Sequence, residues 1–218
     1  MSKMNKSCFR QLFFIVDDGD IIVFTIFVKE VYMKFEEHVW NDRKGRTVVF
    51  RSAENKDAAD LIAYMKQTAM ETEYLLREVE EIRLDEAMER RFIEANLTSS
   101  KDVMIVILVD GILAGSCSVS GKGMLSRIRH RCELALALKK DCWGAGIGTK
   151  TMEILEEAAA RIGYEQMELE VVETNTSAIS LYEKCGFSKT GVIPDAFRYT
   201  DGTYASLCTM VKKVKKEY

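Results

Sequence analysis

Residues 132–138 (Cys-Glu-Leu-Ala-Leu-Ala-Leu) run directly into Lys139-Lys140-Asp141-Cys142-Trp143-Gly144-Ala145-Gly146-Ile147-Gly148-Thr149, and then into a stretch of helical period. No other segment constrains the fold as strongly, because strand, glycine-rich turn and helix must follow one another without a spacer. Along the strand, Glu133, Ala135 and Ala137 share one face while Cys132, Leu134, Leu136 and Leu138 share the other. The helix puts Ile147, Thr151, Ile154, Leu155, Ala158 and Ile162 on one side and stops at Gly163. A helix that starts behind a glycine-rich turn aims free N–H groups and the positive end of its dipole at one spot, which suits an anion. Glycine lets the backbone approach such a group without a Cβ in the way. Two nucleotide patterns fit poorly. A Walker loop needs Gly-Lys-Ser/Thr, whereas the order here is Gly148-Thr149-Lys150. A dinucleotide fingerprint needs Gly-x-Gly-x-x-Gly, whereas the glycines here are 144, 146 and 148.

The flanking sequence alternates strand-like and helix-like segments from residue 47 onward, the pattern of an α/β or α+β domain. Residues 47–51 are β-rich. Asp57 can cap a helix carrying Ala58, Leu61, Ile62 and Met65 on one face, and a second helix spans about 85–96. Between them lie Glu71, Glu73, Glu78, Glu80 and Glu81, either a solvated acidic face or the cation-attracting rim of a pocket. Residues 103–109 and 112–119 are joined by Asp110-Gly111, which predicts an antiparallel hairpin. The loop after it ends in Arg127, Arg129, His130 and Arg131, basic enough to grip phosphate but also an ordinary surface loop. Residues 166–172 alternate as one more strand. Glu133 either sits at the wet end of its strand or is placed for chemistry, because an ionised carboxylate is costly to bury without partners.

At 218 residues, 47% hydrophobic and with one proline, the chain has the material for one globular domain plus an extension. The net charge of −3 gives no global basic field, so no nucleic-acid partner is expected. Six scattered cysteines without a C-x-x-C pair, beside two histidines, predict neither a metal site nor a disulfide scaffold, and suit the reducing cytoplasm. The apolar run in residues 9–32 is broken by Asp17-Asp18-Gly19-Asp20 and is too short on either side to span a membrane. It reads as a hairpin or edge element of an N-terminal extension (1–46), whose unpaired edge would suit a homodimer. Met33 offers a second start, which would make residues 1–32 optional. The lysines 212, 213, 215 and 216 read as a solvated C-terminal tail.

After the strand at 166–172 comes Glu173-Thr174-Asn175-Thr176-Ser177-Ala178-Ile179-Ser180-Leu181-Tyr182-Glu183-Lys184-Cys185-Gly186-Phe187. The glycine-rich turn and this Asn-x-x-Ala-Ile-x-Leu-Tyr-x-x-x-Gly-Phe block, in this order, closely resemble the GNAT superfamily of acetyl-CoA-dependent N-acetyltransferases. The resemblance covers roughly residues 47–211 and implies a GNAT domain at 47–218. The implied fold is a mixed, mostly antiparallel twisted sheet of about six to seven strands, flanked by helices and splayed at the acetyl-CoA site. It implies that Gly144, Ala145, Gly146, Ile147, Gly148 and Thr149 cradle the coenzyme pyrophosphate. Leu136 and Leu138 would bond the pantetheine arm through their backbone, and Asn175 would hold it from the neighbouring strand. Tyr182 matches the tyrosine that protonates the departing thiolate, and Glu133 resembles the carboxylate that several members use as a base. Trp143 departs from the Gln or Arg common at the first turn position.

The residue types suit that chemistry. A thioester is already activated, so the protein mainly has to hold an amine in line and deliver it uncharged. An alkylamine with a pKa near 10 is mostly protonated at neutral pH, hence the use for a base such as Glu133. The reading is direct attack in a ternary complex of acetyl-CoA with the primary amine of a small cationic metabolite. A peptide or protein acceptor, or a non-catalytic acyl-CoA-binding module, is the alternative. Cys142 and Cys185 lie near the inferred coenzyme, but no histidine neighbours them in sequence, so packing is the better account than an acyl-carrying nucleophile.

Overall fold

Turn chemistry sets the strand pairing. In the computed structural model, which describes Cys8–Asp17, Asp20–Lys29 and residues 34–214, Asp110 and Gly111 both take positive φ (49° and 81°). That is the twist a two-residue hairpin needs, and it joins β5 (Val103–Val109) to β6 (Ile112–Gly121) antiparallel. The chain divides into two compact units, Met1–Tyr32 and Met33–Tyr218. In the first, β1 (Cys8–Asp17) and β2 (Asp20–Lys29) pair antiparallel with Asp17 opposite Asp20. Asp18 and Gly19 of the expected turn lie outside the described residues.

The second unit holds an eight-stranded sheet. Its remaining strands are β3 (His38–Asn41), β4 (Thr47–Ser52), β7 (Arg131–Leu138), β8 (Gln166–Val172), β9 (Ser188–Arg198) and β10 (Tyr204–Lys213). The order is β3-β4-β5-β6-β7-β8-β10-β9, and among the described strands only β7 and β8 pair parallel. The count exceeds the expected six to seven, and β3 lies inside the stretch read as an extension. Four residues are too few to show a two-residue period, so β3 is a strand only by virtue of pairing with β4. Among the described residues four α-helices flank the sheet: α1 (Ala58–Glu71), α2 (Glu86–Thr98), α3 (Ile147–Ile162) and α4 (Thr176–Lys184). None of the described helices is long and apolar enough to cross a membrane.

Two buried clusters hold the layers together. The larger sets Ile147, Ile154, Leu155 and Ala158 of α3 against Ile105, Ile107, Cys132 and Leu134 of the sheet. The smaller packs Leu61 and Tyr64 of α1 and Ile93 of α2 on Val106 and Leu113. Asp57 does not cap α1 with its side chain. It takes the Arg51 guanidinium in a bidentate pair (2.7 and 2.8 Å) and the Glu54 N–H (2.8 Å), because the half-buried arginine six residues back on β4 offers a stronger, charged partner. Lys212 and Lys213 belong to β10 rather than to a free tail, since Lys212 Nζ reaches Glu156 (2.6 Å) and Lys213 Nζ reaches Gln166 (2.7 Å). Lys215 and Lys216 lie outside the described residues.

Candidate functional site

The parallel pair decides where a ligand can enter. β7 and β8 are in register only over Arg131–Gln166, Cys132–Met167 and Glu133–Glu168, and beyond Glu133 they part. On its other side β7 stays paired to β6 as far as Leu138. Lys139 N–H bonds Ala114 O and Lys122 N–H bonds Arg131 O, so the alternation of an antiparallel ladder turns the odd-numbered residues of β7 toward β6. Past the last β8 partner of β7, Glu168, the C=O of Leu134 and the N–H and C=O groups of Leu136 and Leu138 therefore face the opening. Leu138 O accepts from Trp143 Nε1 (2.9 Å), which gives Trp143 a role in pinning the strand end.

The opening leads to the glycine-rich turn. Gly144 (φ 70°) and Gly146 (φ 87°) are left-handed, and Gly146 is the N-cap of α3 with no side-chain capping bond. The first helical bond is Lys150 N to Gly146 O, which leaves the N–H groups of Ile147, Gly148 and Thr149 unpaired within the helix. Ala145 and Ile147 bury their side chains in the core, so only their backbone can meet a ligand. A Cβ on Gly148 would stand 2.9 Å from Leu181 Cδ2, so this glycine lets α4 approach α3 closely. Open β7 edge and α3 N-terminus together can receive an extended, hydrogen-bonding chain that ends in an anion.

The two candidate catalytic groups sit on different elements. Tyr182 is half-buried on α4, its ring 6.1 Å from that of Phe187, and burial pushes its phenol up to about 12. Glu133 stands on the open face of β7 where the strands part, half its side chain exposed (50%), with Lys122 Nζ at 3.2 Å. Beside it Glu168 holds Arg131 in a bidentate pair, and that guanidinium keeps the Glu168 carboxyl below the usual carboxylate range. Asn175 caps α4, its Oδ1 accepting from Ala178 N (3.1 Å), which leaves the amide nitrogen as a further donor.

Other sequence candidates resolve differently. Arg131 and its basic loop lie at the opposite end of β7 from the glycine-rich turn, roughly 25 Å away along the strand. Of the acidic segment, Glu71 accepts the Lys140 N–H (2.7 Å) and Glu81 the Glu78 N–H (3.0 Å). Burial raises the thiol of Cys142 to about 11 and that of Cys185 above its usual value, so neither is a thiolate at neutral pH. Tyr64 escaped the sequence reading. Its hydroxyl donates to Ala137 O (2.7 Å) and accepts from Ser116 N (3.2 Å), across a register pair of β6 and β7, and so supports the strand that faces the opening. Only its place on the apolar side of α1 marks it in the sequence.

Known proteins share this arrangement. The sequence profile of the acetyltransferase (GNAT) family matches residues 62–187. A GNAT-family acetyltransferase from Streptococcus pneumoniae superimposes with a TM-score of 0.73 at 26% identity, over 77% of this chain and 99% of that one. A ribosomal-protein-alanine N-acetyltransferase from Brucella melitensis has a TM-score of 0.66 at 22% identity (75% and 98% covered). A phosphinothricin acetyltransferase from Sinorhizobium meliloti, in complex with acetyl-CoA, has a TM-score of 0.66 at 19% identity (77% and 88% covered). No curated protein matches the chain. Since the matched profile spans more than half of the sequence and takes in the glycine-rich turn, the parted strands and the helix bearing Tyr182, the chain belongs to the GNAT acetyltransferase family.

Proposed function

We propose that the protein transfers an acetyl group from acetyl-CoA to the primary amine of a small cationic metabolite, by direct attack in a ternary complex. The observation that carries this reading is the parting of β7 from β8 beyond Glu133, on the strand that runs through the glycine-rich turn into the N-terminus of α3. Acetyl-CoA supplies an acyl group already activated as a thioester. The free groups of Leu136 and the N–H of Leu138 suit the amides of a pantetheine arm, and Asn175 faces the same arm from α4. The N–H groups of Ile147, Gly148 and Thr149 suit a pyrophosphate, with Gly144 and Gly146 keeping the backbone accessible.

Glu133 accepts the proton of the incoming ammonium through water, as its solvent-open position permits. The amine nitrogen then bonds to the acyl carbon and the carbon–sulfur bond breaks; the proton that the nitrogen sheds passes through water and the Tyr182 hydroxyl to the departing sulfur, so that Tyr182 ends protonated as it began. Backbone N–H groups of β7 meet the charge that develops on the carbonyl oxygen. The carboxylates around the α1–α2 connection favour a cationic acceptor, while Glu71 also accepts the Lys140 N–H and Glu81 the Glu78 N–H.

Thiol release measured against a broad amine panel, corrected for hydrolysis, tests the reading. Release with polyamines, amino sugars or amino acid derivatives supports it; release with peptides alone removes the small-amine acceptor, and coenzyme binding without release on any amine removes the transferase. Glu133→Gln is expected to lower kcat/KM by about 10²-fold at neutral pH. The variant should regain part of that loss as the pH rises toward the pKa of the amine, where the acceptor needs no base. A uniform loss at all pH values would instead make Glu133 the ion-pair partner of Lys122 and nothing more.

A further inference from the structure

The β3–β4 turn is built to a tight specification that sheet pairing alone does not require. Asp42, 5% exposed, accepts Lys44 N (2.8 Å) and Arg46 N (3.0 Å) on Oδ1 and the Arg46 guanidinium on Oδ2 (2.8 Å), while Gly45 takes φ 79°. The locked turn is then fastened to the glycine-rich turn, some hundred residues away in sequence. Arg43 N–H bonds Ala145 O (3.0 Å), and Lys44 Nζ bonds Asp141 O (3.1 Å). The stem of Arg43 lies across Gly146, whose added Cβ would meet Arg43 Nε at 3.1 Å and Cγ at 3.4 Å. Gly146 is thus required twice, by its φ and by the arginine stem that occupies its side-chain space.

What remains unexplained is the Arg43 guanidinium. It is exposed, and among the described residues no carboxylate pairs with it: Asp42 is taken by Arg46, and Asp141 makes no ion pair. It is held beside the N-cap of α3, where the unpaired N–H groups and the helix dipole already favour an anion. Lys139 and Lys140 on the same turn add to the local positive charge of a chain that is acidic overall. A guanidinium is the side chain best shaped to grip a phosphate by two parallel hydrogen bonds.

We propose that Arg43, carried by the β3–β4 turn, is a phosphate ligand for the coenzyme. The inference rests on the acetyl-CoA reading and adds to it a contact from an N-terminal element that precedes the matched profile. Two phosphate groups of the coenzyme offer the same chemistry, the pyrophosphate and the 3′-phosphate.

Calorimetric titration of the full chain with coenzyme A and with 3′-dephospho-coenzyme A tests the proposal without relying on turnover. Arg43→Gln keeps much of the stem over Gly146 and the main-chain bond to Ala145, and removes the charge. It is expected to weaken coenzyme A binding about ten-fold to a hundred-fold, as loss of a charge-assisted hydrogen bond does. Arg43→Lys should recover only part of the loss. Equal affinity of variant and wild type for the dephospho compound assigns the contact to the 3′-phosphate; a loss for both compounds assigns it to the pyrophosphate. Affinities for both ligands within about two-fold of wild type overturn the proposal and leave the acetyltransferase reading standing. A wild-type chain that binds neither ligand overturns both. An unchanged thermal transition in the variants shows that the turn has stayed docked.

Discussion

Replacement of Tyr182 by phenylalanine is expected to lower turnover by about 10²-fold or more, with coenzyme A affinity unchanged. Phenylalanine keeps the ring that packs on Phe187 and the larger core cluster, so the substitution removes an O–H group and little else. Burial holds that phenol up to about 12, which guarantees that its proton is present throughout the working range of pH. The same shift makes it a weak acid against a thiol near 8.5, so in the proposed reaction its hydroxyl relays a proton from the nitrogen to the sulfur and hydrogen-bonds the charge that grows there, rather than ending as a phenolate. The pH–rate profile of the wild type should accordingly show no alkaline loss from Tyr182 below about pH 10. Single-turnover rates of Tyr182→Phe within about three-fold of wild type would reduce Tyr182 to a packing residue.

The largest loss of stability is expected from Asp57→Asn, about 3 to 5 kcal/mol, because it strands the Arg51 guanidinium inside the protein. Only 13% of the Arg51 side chain and 8% of the Asp57 side chain are exposed, so water cannot readily take the place of the missing charge. Denaturant unfolding reads the difference, and a loss under about 1 kcal/mol would place the pair among ordinary surface ion pairs. Acid sensitivity follows from the same geometry. Burial by itself pushes the Asp57 carboxyl up, but hydrogen bonds from Arg51 and the Glu54 N–H outweigh it and hold the group below its ordinary value. A carboxyl lowered on folding contributes stability that is fully present above its unfolded value, near pH 4, and is lost as the pH falls through the folded value. Wild-type stability should therefore decline below about pH 4, and the Asp57→Asn variant should lose the Asp57 share of that slope.

Several elements were legible because their signals are local. Asp110-Gly111 needs only two residues with positive φ, Asp85 reaches Met88 N three residues on (2.7 Å), and Gly163 ends α3 in the left-handed conformation. The glycine-rich turn and the Asn175–Phe187 block were legible for a second reason, since they lie next to one another in the sequence order that the family shares. Strand β3 was not, because its four residues make sense only beside β4. Within helix α2, whose span the sequence did show, one position is a similar case. Glu89 is 3% exposed although periodicity gives a glutamate to water, and burial pushes its carboxyl up.

For the site, the sequence by itself determined a helix start behind a glycine-rich turn, which suits an anion, and the residue types available for acid and base work. Those follow from short-range backbone chemistry and side-chain pKa values, which neighbouring residues suffice to set. Only the tertiary structure decided that β7 parts from β8 after Glu133, that Trp143 closes on Leu138 O, and that Tyr64 bridges β6 and β7. It alone brought Arg43 to Gly146. Each of these joins groups far apart along the chain through a hydrogen bond or a contact of a few ångströms, and such proximity is fixed by how the layers pack rather than by any local preference of the residues involved.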